Sequence, residues 1–282
     1  MASVTKKISK ELQIKLRPEL AVTNVRAKET IIEILEWLEN NTEFSWKDSS
    51  GDDWERRGER YDTQDSFFKS NRITLASEKS EDDKNRTKIK CKLHNFIPEL
   101  LYPEIEYAYC YPNAGSYDDI ELKFKQEQDI HFNNCKYCAT GYMKLPGTAH
   151  QFTQVEEFYP YYPNLKKVPE IDGNADLVKV KDWQETIFDD IKMKIGDFEF
   201  KGALVTRRNY CDQSLDESEF SFKVTEGKDG WDYNGLSQLA DIYNLIRSRY
   251  GEIFLINQPS IFTFQNPASS EEIKEICKKE CG

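Results

Sequence analysis

Charged side chains recur at every second position in several separate stretches of this 282-residue chain. Glu11, Lys15 and Arg17 alternate with Leu12, Ile14 and Leu16. Lys88 and Lys90 alternate with Thr87, Ile89 and Cys91, and Glu104 and Glu106 with Ile105 and Tyr107. Glu121, Lys123 and Lys125 alternate with Ile120, Leu122 and Phe124, while Glu217, Glu219 and Lys223 flank the apolar Phe220 and Phe222. Arg207 and Arg208 end a further such stretch. Cations and carboxylates together suit one chemistry well. Arg binds phosphate oxygens as a planar fork and Lys as a point charge. Carboxylates hold Mg²⁺ or Mn²⁺, hard cations that prefer oxygen. Such a metal neutralises charge and orients water for phosphoryl transfer. On any single strand a solvated face gives the same pattern. The argument lies in the accumulation, because closing such strands into a barrel turns one face of each inward.

Cysteine spacing offers a second site. Cys135 and Cys138 are separated as in zinc knuckles and redox pairs, His131 lies four residues upstream, and Cys277 and Cys281 stand near the end of the sequence. Cys135, Cys138, Cys277 and Cys281 together would make a closed structural Zn²⁺ site. Reduced cysteines without a metal are the plainer expectation. His94 and His150 read as isolated surface or packing residues. No Gly-rich phosphate loop and no nucleophile-elbow Gly-x-Ser-x-Gly occurs.

The elements that must position these residues are mostly strands. Strict alternation over residues 8–17, 87–92, 120–125 and 217–223 predicts strands with one apolar and one charged face. Apolar residues at Ile31, Ile34, Leu35 and Leu38 predict a helix over 26–40, with Asn24 as its N-cap. A second amphipathic helix is expected over 235–249 and a short one over 268–282. Residues 47–59 read as a charged loop and 133–185 as an irregular insertion, with a short helix over 182–190.

Composition narrows the classes further. A net charge of −11 and a pI near 5.0 argue against duplex nucleic acid as a partner, since phosphate backbones attract basic surfaces. No apolar run is long enough to span a membrane, and no signal-peptide core opens the sequence. Seven cysteines do not form a simple secreted disulfide framework, so the cytoplasm is the expected location.

The order of segments resembles the CYTH, or triphosphate tunnel metalloenzyme, superfamily. That family opens with a Glu-x-Glu-x-Lys strand, matched by Glu11-Leu12-Gln13-Ile14-Lys15. A helix follows, and then strands similar to Tyr61-Asp62-Thr63, Asn71-Arg72-Ile73 and Thr87-Lys88-Ile89-Lys90. Later strands are matched by Glu104-Ile105-Glu106, Val205-Thr206-Arg207-Arg208 and the stretch from Glu217 to Lys223. The match is best over residues 8–92 and fails around the Cys135 segment. Gln13 stands where the family has its second glutamate, and Thr74 where a second arginine is expected.

The resemblance implies an α+β, mostly antiparallel β fold. It implies one domain over 1–282, an eight-stranded tunnel-like barrel with flanking helices and an irregular insertion. It also implies metal-dependent hydrolysis of a small-molecule triphosphate or polyphosphate; some relatives cyclise ATP instead. On this reading Glu11, Lys15 and Arg72 are catalytic. Lys15, Arg17, Arg72, Lys88, Lys90, Arg207, Arg208 and Lys223 bind substrate. Glu11, Glu104, Glu106, Glu217 and Glu219 hold Mg²⁺ or Mn²⁺. The alternative is a non-catalytic module that binds polyanions, or a protein partner through the Tyr/Pro-rich stretch 159–169.

Overall fold

The computed structural model describes residues 5–49, 53–80, 86–95, 109–113, 120–131, 135–147, 152–228 and 230–254. Its strands are β1 (Thr5–Lys15), β2 (Phe44–Asp48), β3 (Trp54–Thr63), β4 (Ile73–Ser80), β5 (Arg86–Asn95), β6 (Glu121–Ile130), β7 (Cys135–Pro146), β8 (Leu177–Ile195), β9 (Phe198–Asn209) and β10 (Leu215–Thr225). They pair in the order β2-β8-β3-β4-β5-β7-β6-β1-β10-β9, and β9 pairs back onto β8. That last pairing closes a barrel of nine strands, with β2 pairing beside β3 on the far half of the long β8. Neighbours are antiparallel except β1 and β6, which run parallel. The expected eight strands are therefore nine.

The barrel is inside out with respect to an ordinary sheet core. Side chains alternate along each strand, and here the apolar set points outward. Leu12 and Ile14 of β1, with Leu16 just past its end, join Phe220 and Phe222 of β10 in a cluster covered by two helices, α1 (Asn24–Asn41) and α3 (Tyr233–Tyr250); the single turn α2 (Phe67–Ser70) falls between them in sequence. Ile73, Leu75, Ile89, Cys91 and Met143 form a second cluster around the other flank. It is covered by Val155, Phe158 and Leu165 of two short 3₁₀ turns, Val155–Phe158 and Pro163–Lys167, and by Phe152 and Tyr162 beside them. Burying each of the larger apolar side chains is worth roughly 1.5–3 kcal/mol, so the two covers hold the wall from outside and leave its other face free to be charged.

Local chemistry explains these covers. In α1, Ile31, Ile34, Leu35 and Leu38 are buried as the periodicity predicts. The cap is Thr23, not Asn24: its hydroxyl accepts from the Arg26 amide, while Asn24 bonds Thr186. The Tyr243 hydroxyl of α3 donates to the Gln13 carbonyl at 2.8 Å, pinning that helix to β1. The Tyr/Pro-rich stretch is not a free aromatic surface. Tyr162 is fully buried, and its hydroxyl donates to the carbonyls of Ile89 and Gly141. A Cβ at Gly141 would lie 1.7 Å from the Cys110 carbonyl oxygen, so only glycine lets that chain segment approach β7.

Three further expectations are corrected. Residues 47–59, read as a loop, contain the end of β2 and the start of β3. The stretch 133–185 is not irregular throughout, because β7 and the first half of β8 lie within those limits. The short helix expected over 182–190 is strand β8, fixed by pairing to β3 and β9. Helix 268–282 and strand 104–106 lie outside the described residues. No helix among the described residues is long and apolar enough to cross a membrane.

Candidate functional site

With the apolar faces turned out, the charged faces meet inside. On β3, β4 and β5 the inward positions include Arg56, Glu78, Lys88, Lys90 and Lys92. On the opposite wall β6, β1 and β10 contribute Lys125, Glu127, Asp129, Glu11, Gln13, Lys15, Glu217, Glu219 and Lys223. Glu185 of β8 and Arg207 of β9 join the two walls. A cavity of about 140 Å³ between them is lined by residues that include Gln13, Lys90, Lys92, Asp129, Arg207 and Glu219. A second, of about 270 Å³, lies toward the mouth near Arg56, Arg86, Lys88 and Lys144.

Ion pairs order the interior. Glu78 receives Arg56 at 3.2 Å, Lys88 at 2.8 Å and Lys90 at 2.6 Å. Glu185 is gripped by Arg56 and by Arg207, whose Nε lies 2.7 and 2.8 Å from its two oxygens respectively. Arg207 also donates to Glu217 at 3.0 Å, and Lys15 pairs with the same Glu217. Lys223 bridges Glu11 and Glu127. Arg207 meets its two carboxylates through different nitrogens of one planar fork, Nε to Glu185 and Nη1 to Glu217, a fixed direction that the single ammonium of a Lys does not give.

The two walls differ in balance. Around Glu78, burial pulls Lys88 down to about 8 in spite of that carboxylate, with Arg56 and Lys90 adding repulsion. Glu78 itself is held well below the usual range by Arg56, Lys88 and Lys90, against the effect of burial. On the opposite wall burial pushes Glu219 up to about 8, and Glu217 beside it pushes the same way. Burial, then Glu127, lifts Glu11 to about 7. Cations outnumber the carboxylate around Glu78, whereas on the opposite wall Glu11, Glu127, Asp129, Glu217 and Glu219 outnumber Lys15, Lys125 and Lys223 among them, so the interior favours an added anion on one side and an added cation facing it.

The structure brings together most of the residues expected from sequence. Glu11, Lys15, Lys88, Lys90, Arg207, Glu217, Glu219 and Lys223 all face the interior. Arg17 is exposed beyond the end of β1, where its amide bonds the Ile253 carbonyl. Arg208 points away from the interior: its Nη2 donates to the carbonyls of Ala21 and Val22, each at 2.9 Å. Arg72 lies in the left-handed turn before β4 (φ 59°), half-buried at the rim rather than along the central cavity. Glu104, Glu106 and His150 lie outside the described residues.

The zinc expectation fails on strand geometry. Cys135 and Cys138 are three apart on β7 and face opposite sides. Cys135 accepts from Gln128 at 3.2 Å, whereas the buried Cys138 thiol donates to Asp129 at 3.4 Å inside the barrel. Two such thiols cannot ligate one ion; Cys277 and Cys281 are outside the described residues. His94, read as a surface or packing residue, is a packing one, buried beside Thr74 and Cys138. Burial holds its imidazole far below the usual range, so it is neutral.

Sequence reasoning missed Arg56, Glu78, Glu127, Asp129, Trp183 and Glu185, while Lys92 was placed on the charged face of Lys88 and Lys90 without a role. Continuing the alternation from Lys125 by two steps would have found Glu127 and Asp129. The same period from Thr74 leads to Glu78. Arg56 and Glu185 sit in segments whose patterns read as loop and helix, because neither carries a clean alternation of apolar and charged residues.

No family model matches this chain, and no curated protein matches it. Among solved structures it is similar to HpAC1 from Hippeastrum, provisionally named an adenylyl cyclase and described as having a dominant triphosphatase activity. That likeness has 9% identity over 89% of this chain and 92% of the other, with a TM-score of 0.43. A provisionally named adenylate cyclase from Bacillus halodurans shares 11% identity over 93% and 98%, TM-score 0.43. Another, from Vibrio parahaemolyticus, shares 9% over 89% and 96%, TM-score 0.35. At this degree of superposition the chemistry must be read from the side chains.

Proposed function

We propose that the protein is a phosphohydrolase that draws the triphosphate group of a small molecule into the barrel and cleaves it with the help of Mg²⁺ or Mn²⁺. The observation that supports this is the division of charge across one closed interior. Arg56, Lys88 and Lys90 on one wall outnumber the Glu78 carboxylate they share, while Glu11, Glu217 and Glu219 crowd on the other. A chain of phosphoryl groups would lie along the cationic wall, with Arg207 reaching it from the side.

The donor set fits a hard divalent ion. Among the described residues no three His, Cys, Asp or Glu side chains form a ready cage. Mg²⁺ does not need one: it keeps several waters and commonly takes one or two carboxylates together with substrate oxygens. Glu217 and Glu219 are the pair we assign, since Glu219 lines the cavity and its raised pKa is what an added cation would reverse. A bound ion would supply charge neutralisation and a more acidic water. The chain's own part is to release the Glu219 proton as the ion enters, to hold Glu217 in place through Lys15 and Arg207, and to align the phosphoryl oxygens.

We also place the protein in a reducing cytoplasm, where the free thiols of Cys91, Cys110, Cys135, Cys138 and Cys211 would persist.

The test is phosphate release from inorganic tripolyphosphate, ATP and thiamine triphosphate with Mg²⁺ or Mn²⁺, beside Lys90→Met and Glu219→Gln. Metal-dependent turnover lost in both variants supports the hydrolase. Pyrophosphate release from ATP alone would move the reading to a cyclase. Tripolyphosphate that raises the melting temperature without being cleaved would favour the non-catalytic polyanion-binding alternative.

A further inference from the structure

Trp183 sits on β8, only 2% exposed, and its ring lines the same cavity as Lys90, Arg207 and Glu219. Its indole N–H meets no acceptor among the described residues. Buried tryptophans ordinarily satisfy that group, because an unmade buried hydrogen bond is costly. The ring is also firmly placed. Gly58 is its direct cross-strand partner, and a Cβ there would lie 2.3 Å from Cζ2 and 2.9 Å from Nε1. The indole therefore lies against the bare backbone of β3, in a space that only glycine leaves. The Arg207 guanidinium is 5.8 Å from the ring centroid.

The neighbouring carboxylate has no oxygen free to accept this hydrogen bond. Glu185, two residues along the same strand, has its oxygens occupied by Arg56 and Arg207. An indole N–H only donates; it neither accepts nor ligates a metal. A buried, uncharged donor on a fixed ring, beside cations that are already paired, is suited to an oxygen that arrives with the ligand. We propose that Trp183 is a specificity-determining residue that donates its indole N–H to a phosphoryl oxygen of the bound anion, while Gly58 keeps the ring in position. This rests on the phosphate-binding reading above.

The experiment titrates inorganic tripolyphosphate into the full chain and into Trp183→Phe, with Mg²⁺ present, and follows the ¹⁵N-indole signals of the wild type. Those signals are assigned by replacing Trp37, Trp46, Trp54 and Trp231 in turn. The expected result is binding roughly tenfold weaker in Trp183→Phe at an undiminished melting temperature, with a downfield shift of the Trp183 signal on binding. Equal affinity in the two proteins, or a Trp183 signal that does not move, overturns the proposal and leaves the phosphate site standing. If Trp183→Phe does not fold, the indole shift alone decides. Failure of the wild type to bind tripolyphosphate overturns both this proposal and the phosphate site it depends on.

Discussion

Arg207 and Arg208 are consecutive residues whose guanidinium groups lie on opposite sides of one barrel wall. Arg207 reaches inward to Glu185 and Glu217, and Arg208 reaches outward to the carbonyls of Ala21 and Val22. Their substitutions should separate accordingly. Arg207→Lys loses the fork that bridges two carboxylates, and turnover of tripolyphosphate should fall at least about tenfold. Arg208→Ala removes hydrogen bonds that hold the segment before α1. It should cost about 1 kcal/mol in urea unfolding and leave tripolyphosphate affinity unchanged. A large affinity loss in Arg208→Ala would contradict the placement of the two side chains.

The buried Glu78 neutralises three half-buried cations. Its replacement by Ala leaves Arg56, Lys88 and Lys90 facing one another, which should destabilise the protein by roughly 3–5 kcal/mol in denaturant unfolding. Tripolyphosphate should then raise the melting temperature more in the variant than in the wild type, because the anion supplies the missing charge. Equal shifts would show that the anion binds elsewhere.

Glu219 carries a pH dependence whose sign can be stated. Burial and the neighbouring Glu217 raise its folded pKa to about 8, above the ordinary carboxylate value of 4.5. The folded state therefore binds the proton more tightly than the unfolded state. This contribution is fully present below about pH 4.5 and is lost as the pH rises through 8. Relative to wild type, Glu219→Gln should gain roughly 1–3 kcal/mol between pH 5 and pH 9 in the absence of divalent cations. In the wild type the apparent affinity for Mg²⁺ should rise across the same interval, as the proton leaves and the carboxylate becomes available. A flat stability difference would place Glu219 in contact with water rather than in the closed interior.

Gln13 lines the central cavity and donates to Glu11 at 3.2 Å. Gln13→Glu replaces that donor with a like charge. The variant should lose about 1–3 kcal/mol without metal, measured by urea unfolding at pH 8, and should recover part of this on addition of Mn²⁺. Unchanged stability without metal would mean that position 13 is more solvated than its place in the barrel indicates.

Much of the architecture was legible because a strand shows its two faces in two-residue steps. Glu11, Lys15, Lys88, Lys90, Glu217 and Glu219 were identified from that alternation, and the two long helices from the spacing of Ile31, Ile34, Leu35 and Leu38 and of Leu236, Leu239, Ile242, Tyr243 and Ile246, of which Leu236 is only partly buried. The alternation is blind where both faces are polar. Glu55 and Arg57 flank Arg56 on β3, so no apolar face marked the strand. The run from Trp183 through Phe188 admits a helix or a strand by pattern alone, and its pairing with β3 and β9 decided it.

What the sequence determined by itself was the pairing of each charged face with an apolar one, since that follows from local geometry. Only the tertiary structure decided which face turns inward. Helices and the Tyr162 segment cover the apolar sides from outside, leaving the charged sides to face one another across the barrel. The closing contact of β9 with β8 sets the number of strands and thus which charges meet. The orientation of neighbours such as Arg207 and Arg208, or Cys135 and Cys138, likewise depends on where the wall lies, and that wall is made by segments far apart in the chain.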